Sequence, residues 1–413
     1  MSADGSTTDR TLGAGWSSSN PAIASVSQTG LVTPAGAGTA DITATYQGAT
    51  GSVRMTVEDY LGAWQFLGVP DSSIGIAQMV VDPRDDAVIH LVAGRKRSDD
   101  VTAPAGIYTT RDAGATWTKV AEGFDGGITQ DPANADTIYG VVNRGAQIQG
   151  YVYRSQDAGR SWLQIGEIPT AANHLRVSAL DSGTLYLSAS FAARAPGVFK
   201  SIDGGFTWQL CPFGVSIPRL IGWDLAVDPR TEAIYVPNEI GDHPQPYHPP
   251  VFRSLDRGLT WTDITGSLPW HSTRVEVSPF NSDVFMLTEG AGLYESHDGG
   301  DTWTFLSNYF YLGLLLDPRD PQKIWGGNGT SGGRRGGVYV SVDGGRTFTT
   351  FGLQGHVVSE LALNGDGTVL YAACYDSGLY AIRLTGQSPF PPGGAERRAR
   401  SPGVDEGAGA PPK

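Results

Sequence analysis

Three features of the 413-residue sequence predict an all-β fold built as a ring of repeated sheets. Its 56 glycines and 26 prolines exceed what long helices tolerate, and no stretch keeps a helical apolar period over several turns. The octapeptide SIDGGFTW, from Ser201, recurs as TRDAGATW from Thr110, SQDAGRSW from Ser155, SLDRGLTW from Ser254, SHDGGDTW from Ser296 and SVDGGRTF from Ser341. The six aspartates, Asp112, Asp157, Asp203, Asp256, Asp298 and Asp343, are spaced by 45, 46, 53, 42 and 45 residues, a period that signals a repeat architecture.

Residues 1–58 come first. Short alternating segments (Ala24 to Val26, Ala40 to Thr45, Ser52 to Val57) are separated by Gly, Pro and Asn turn signals, which is the pattern of a small sandwich. Residues 60–384 carry the repeat. Each unit runs through an apolar strand ending in a turn, a strand with a central aromatic, a strand such as GVFKS leading into the box, and a strand starting at the box's Trp. The apolar strands end at Asp82, Asp131, Asp181, Asp228, Ser278, Asp317 and Asn364, which makes seven. Only six boxes exist, because the last unit ends DSGLYAIRL without one, whereas Trp64 to Leu67 reads as a box-type outer strand with no unit of its own. Joining these two ends completes a seventh four-stranded blade and leaves no long open edge, so a seven-bladed β-propeller closed by its first and last strands is expected. Residues 385–413 are Pro/Gly-rich without strand pattern and read as a disordered tail.

In the box, a glycine supplies the positive φ of a tight turn, the aspartate accepts hydrogen bonds from turn N–H groups, and the Trp anchors the following strand. Six equivalent copies cannot share one catalytic centre, so the box is read as structural. These residues resemble the Asp-box (BNR) repeat of sialidases, xyloglucan-active hydrolases, sortilin-type receptors and a photosystem II assembly factor. That resemblance covers about residues 60–384 and implies boxes at the blade periphery, away from the ligand face. The run WSSSN followed by ASVSQTGLVTPAGAGTADITATY resembles the group 2 bacterial immunoglobulin-like domain. That family has further strands before this point, so the module reads as incomplete at its amino terminus, with any export signal lost upstream.

Counting four residues back from each inner-strand end gives Gln78, Gly127, Val177, Asp224, Arg274, Gly313 and Glu360, with Arg176, Glu276 and His271 close by. Four polar side chains at one level of apolar strands read either as a ligand mouth or as an inter-blade ion pair such as Asp224 with Arg274. Trp223, Trp270, Tyr309 and Tyr311 in the entering loops could stack on sugars or wedge blades apart. The expected ligand set is Arg176, Trp223, Asp224, Trp270, His271, Arg274, Tyr309, Tyr311 and Glu360. Glycoside hydrolysis needs two carboxylates about 5–9.5 Å apart. Asp224, Glu276 and Glu360 are the leading candidates, with Glu289 and Asp376 behind them. A lyase would draw on Tyr247 and His271 with nearby arginines.

The net charge of −13 and pI near 4.9 argue against nucleic-acid binding, and no apolar run is long enough to insert into a membrane. No cofactor or metal is expected; His243 and His248 in GDHPQPYHPP lack a specified third ligand. Cys211 and Cys374 read as two unpaired thiols. A sialidase is disfavoured, since SIPRL (Ser216 to Leu220) carries that family's Arg-Ile-Pro element in a changed order and no convincing arginine triad accompanies it. Xyloglucan-active relatives take one acid from each of two propellers, and one is seen here. The first expectation is therefore a monomeric, extracellular or cell-surface propeller binding a glycan or protein at the channel face. The alternatives are a polysaccharide-active enzyme at that face and a protein-complex assembly factor.

Overall fold

The computed structural model describes residues 13–21, 23–34, 38–57, 63–95, 104–144, 149–189, 197–213, 224–237, 250–269, 272–288, 292–308, 312–329 and 336–384. Near the amino terminus a three-stranded antiparallel sheet orders Gly15–Ser18, Gly38–Tyr46 and Ala49–Val57, beside a hairpin of Ala24–Val26 with Val32–Pro34. Ala24, Ala40 and Ile42 form its core, covered by Trp16, Val26 and Met55.

The rest is a β-propeller. Among the described residues there are seven four-stranded antiparallel sheets, whose inner strands are Ile74–Val81, Phe124–Asp131, Ala172–Val177, Ala226–Val227, Ser272–Val277, Gly313–Leu316 and Val358–Leu363. The seventh sheet takes its outer strand, Gln65–Gly68, from the start of the chain: Leu379 pairs with Gly68, Tyr380 with Phe66 and Ala381 with Gln65. Trp64 donates its indole N–H to the Phe351 carbonyl of the sixth sheet at 3.2 Å, so the closing strand is stitched to both neighbours.

The apolar core is distributed. Seven clusters of buried side chains each lie between two consecutive sheets, from Val92, Ile107 and Ile128 between the first and second to Leu91, Tyr108 and Tyr371 between the seventh and first. Two-sided burial explains why the middle strands, such as Val284–Thr288 and Val369–Cys374, are apolar without alternation.

The box is a hydrogen-bonded hairpin cap. Asp298 accepts the Ser296 hydroxyl at 2.7 Å, the Thr302 N–H at 2.8 Å and the Thr302 hydroxyl at 2.6 Å, while Ser296 accepts the Gly300 N–H at 2.7 Å. The other five boxes repeat the pattern. Each carboxylate is held below the usual range. At Asp157, where the value falls to about 2, the Ser161 hydroxyl is the main cause. Two residues, not one, turn left-handed: Ala113 and Gly114 have φ of 54° and 90°, and Gly299 and Gly300 have 73° and 98°. The second of them also touches the preceding sheet, since a Cβ on Gly258 would lie 2.8 Å from Cys211 Sγ and one on Gly300 2.4 Å from Ile264 Cδ1. The box therefore turns the chain and seals a seam between blades. The outer strand begins one residue after the aromatic, at Thr118 and Thr304 for example. Both cysteines are free and buried, as expected.

Candidate functional site

Backbone pairing, rather than sequence punctuation, sets which residues share a level on the axis. Asp82 donates its N–H to Val88 O, Asp228 to Ala233 O, Asp317 to Lys323 O, and in the third sheet Ser178 to Thr184 O. The third inner strand therefore ends at Ser178, three residues before the Asp181 turn. His174, not Val177, is the residue at that level. The level ring is Gln78, Gly127, His174, Asp224, Arg274, Gly313 and Glu360, with Arg176 and Glu276 two residues further along their strands.

Gln78 Oε1 accepts the Ile128 N–H of the next sheet at 3.0 Å, and Asp224 Oδ2 makes the equivalent bond to the Val275 N–H at 3.0 Å. Gly127 is required where it stands, because a Cβ there would lie 2.9 Å from Asn173 O and Leu175 N. A Cβ at position 313 would lie 3.3 Å from Ser359 O, and Arg274 passes over the sixth sheet at this level. Its Nε donates to Leu312 O at 2.8 Å, its Nη2 to Ser359 O at 3.3 Å, and Nη2 stands 3.8 Å from Glu360 Oε2. The expected direct pair of Asp224 with Arg274 is thus replaced by a relay: His174 lies between them, with Nδ1 in a bent contact 2.9 Å from Asp224 Oδ1 and Nε2 3.4 Å from Arg274 Nη1. Arg176 Nη2 completes the cluster 3.5 Å from Asp224 Oδ1.

Burial drives the electrostatics. It lowers His174 to about 4, with Arg274 and Arg176 pushing the same way against Asp224, so the ring is neutral at pH 7. For Asp224, burial opposes ionisation, but contact with His174 and the charges of Arg274 and Arg176 outweigh it, and its carboxyl stays far below the usual range. Burial lifts Glu276 to about 8 and raises Glu360, with Arg176 and Arg274 only partly offsetting the rise. Glu276 is half-buried, and the protein packed around it sets a low dielectric that favours the neutral acid. One carboxylic acid held protonated beside an ionised carboxylate is an arrangement suited to proton donation.

Sequence reasoning brought Arg176, Asp224, Arg274, Glu276 and Glu360 to one place, and the structure gathers all five. Sequence reasoning put Val177 rather than His174 at this level of the third sheet, where the signal for His174 was the second possible turn at Ser178. Asp376 is exposed and bonds the Val357 N–H instead, at 3.2 Å. Trp223, Tyr247, Trp270, His271, Glu289, Tyr309 and Tyr311 lie outside the described residues, as do His243, His248 and residues 385–413.

Fold and site together define a β-propeller with a polar, partly charged axis, preceded by an immunoglobulin-like module. The family model for the bacterial Ig-like domain (group 2) matches residues 2–57. Over 354 residues (76% of this chain, 40% of the relative) the sequence is 24% identical to a probable oligoxyloglucan-reducing end-specific xyloglucanase of Neosartorya fischeri. It is 23% identical over 325 residues (71% and 28%) to a xyloglucanase of a Paenibacillus species. The chain thus spans less than half the length of these curated relatives. Among solved structures, the Niastella koreensis GH74 enzyme superposes with a TM-score of 0.59 at 18% identity, covering 77% of this chain and 53% of that one. YCF48 bound to D1 peptide superposes at 0.57 and 17% identity, covering 79% and 98%. At such identities the structural likeness bears on fold alone.

Proposed function

We propose that this chain is the propeller of an extracellular polysaccharide-active enzyme that acts on a xyloglucan-type glucan at the axial face. The observation that carries the proposal is the gathering of carboxyl groups and arginines at the axis, with Arg176 against Asp224 and Arg274 against Glu360, where burial favours the protonated form of Glu276. Glu276 is the proton donor to the glycosidic oxygen, and Glu360, loosely held by Arg274, is the second carboxylate. Asp224 and His174 fix Arg274 and are positioning residues. The sequence relationship to xyloglucanases supports the substrate class, and the glycan would enter from the entering-loop side. The firm hold on Asp224 favours a second reading, glycan binding without turnover.

The test is incubation of the full chain with xyloglucan, reading reducing ends and retention on the polymer. Release of sugar that disappears in Glu276→Gln, with retention kept, supports catalysis. Retention with no release in the parent chain supports the binding reading, and neither signal overturns both.

A further inference from the structure

On the face opposite the entering loops, the fifth and sixth sheets enclose a second polar group that the axial reading does not use. Asp283 closes the turn before Val284–Thr288, Glu295 lies in Gly292–Ser296, and His297 is the variable residue of the fifth box. Asp283 Oδ1 is 2.9 Å from His297 Nδ1, and Glu295 Oε2 is 3.5 Å from His297 Nε2. One donor atom from each residue lies within 4.8 Å of the others. They line a cavity of about 240 Å³ whose far wall is Gln322 and Arg346 of the sixth sheet.

Two observations point to a ligand here. Glu295 is only 8% exposed, yet its carboxylate accepts no hydrogen bond and has only the 3.5 Å approach of His297. A buried carboxylate left in that state is costly unless something else satisfies it. Asp283, by contrast, is oriented from behind, because Asn281 Nδ2 donates to its Oδ2 while Oδ1 meets His297 Nδ1. That is the outer-shell support a ligating carboxylate needs. An ion pair alone would need no space, whereas this cavity has room for a cation and its remaining water ligands.

We propose that Asp283, Glu295 and His297 form a site for one divalent transition cation of the zinc type. An imidazole with two carboxylates suits zinc better than calcium or magnesium, which prefer all-oxygen shells. The exposed His297 ring turns Nδ1 toward Asp283 and Nε2 toward Glu295, and the cation would replace one of these contacts, tying the second and third strands of the fifth sheet to their box beside the sixth. This site is independent of the axial chemistry. Its role is to clamp the seam.

The experiment is calorimetric titration of the chelator-treated full chain with zinc chloride, with calcium chloride as control, followed by melting with and without zinc. One zinc equivalent is expected whose binding weakens more than about tenfold in both His297→Ala and Glu295→Gln, since even outer-shell partners are worth 10–100-fold. The parent chain should melt higher with zinc and the variants should not shift. Zinc held at His243 and His248 would survive both substitutions. Equal binding in parent and variants, no zinc binding, or calcium binding indifferent to His297→Ala each overturns the proposal.

Discussion

His174 Nε2 meets Arg274 Nη1 at 3.4 Å across the propeller axis, although 100 residues separate them in the chain. An arginine can only donate, so this nitrogen must be the acceptor, and the ring proton sits on Nδ1 facing Asp224. The histidine is thereby fixed as a neutral spacer between a carboxylate and a guanidinium.

Nitrogen-detected NMR should find the His174 ring uncharged down to about pH 4. Its folded-state value lies below that of the unfolded chain, so its contribution to stability is complete above about pH 6.5 and is lost as pH falls toward 4. Asp224→Asn removes the buried counter-charge of this relay and should cost about 3–5 kcal/mol in denaturant unfolding.

Glu276 gives the opposite slope. Its folded value of about 8 exceeds the unfolded one near 4.5, so the native state holds the extra proton and stability falls as pH rises through that window. Glu276→Gln should flatten that fall, melting relatively higher than the parent at pH 8 than at pH 5. If the parent turns over glucan, activity should also fall on the alkaline side as the acid loses its proton.

The boxes make a paired prediction. Gly258→Ala places a Cβ at φ +87° and 2.8 Å from Cys211 Sγ, and should cost about 2–4 kcal/mol, partly recovered in a Cys211→Ala background. Ala113→Gly relieves a left-handed alanine at φ 54° and should gain roughly 0.5–1 kcal/mol. Urea midpoints of the four variants measure both.

Trp64 tests closure. Its ring packs edge-on against Phe351 at 6.0 Å and its N–H is bonded to the same residue's carbonyl. Trp64→Ala should destabilise by about 3 kcal/mol and speed hydrogen exchange in the strand Gly378–Arg383 before other sheets.

The propeller was legible because its punctuation repeats: the box's glycine and aspartate answer to one turn geometry at six places, and Trp64 stood out as an outer strand without a sheet. The axial level was legible only where a strand has a single turn at its end. In the third sheet Asp181 accepts the Gly183 N–H and the Thr184 hydroxyl, a strong local turn that masks the ladder's true end at Ser178. The first of the two left-handed box positions was hidden as well, since Ala113, Ala158 and Arg257 occupy it in half the copies. The Asp283, Glu295 and His297 group was invisible to sequence, because its members come from a turn, a strand and a box that only strand pairing brings together.

Pairing of Gln65–Gly68 with Gly378–Arg383 also dictates a timetable during synthesis. At about 5–20 residues per second, the early strand waits on the order of 15–60 s for its partner to leave the ribosome. Throughout that interval the nascent chain carries an unmatched hydrophobic flank on its first sheet, and a chaperone or a neighbouring nascent chain has that long to capture it.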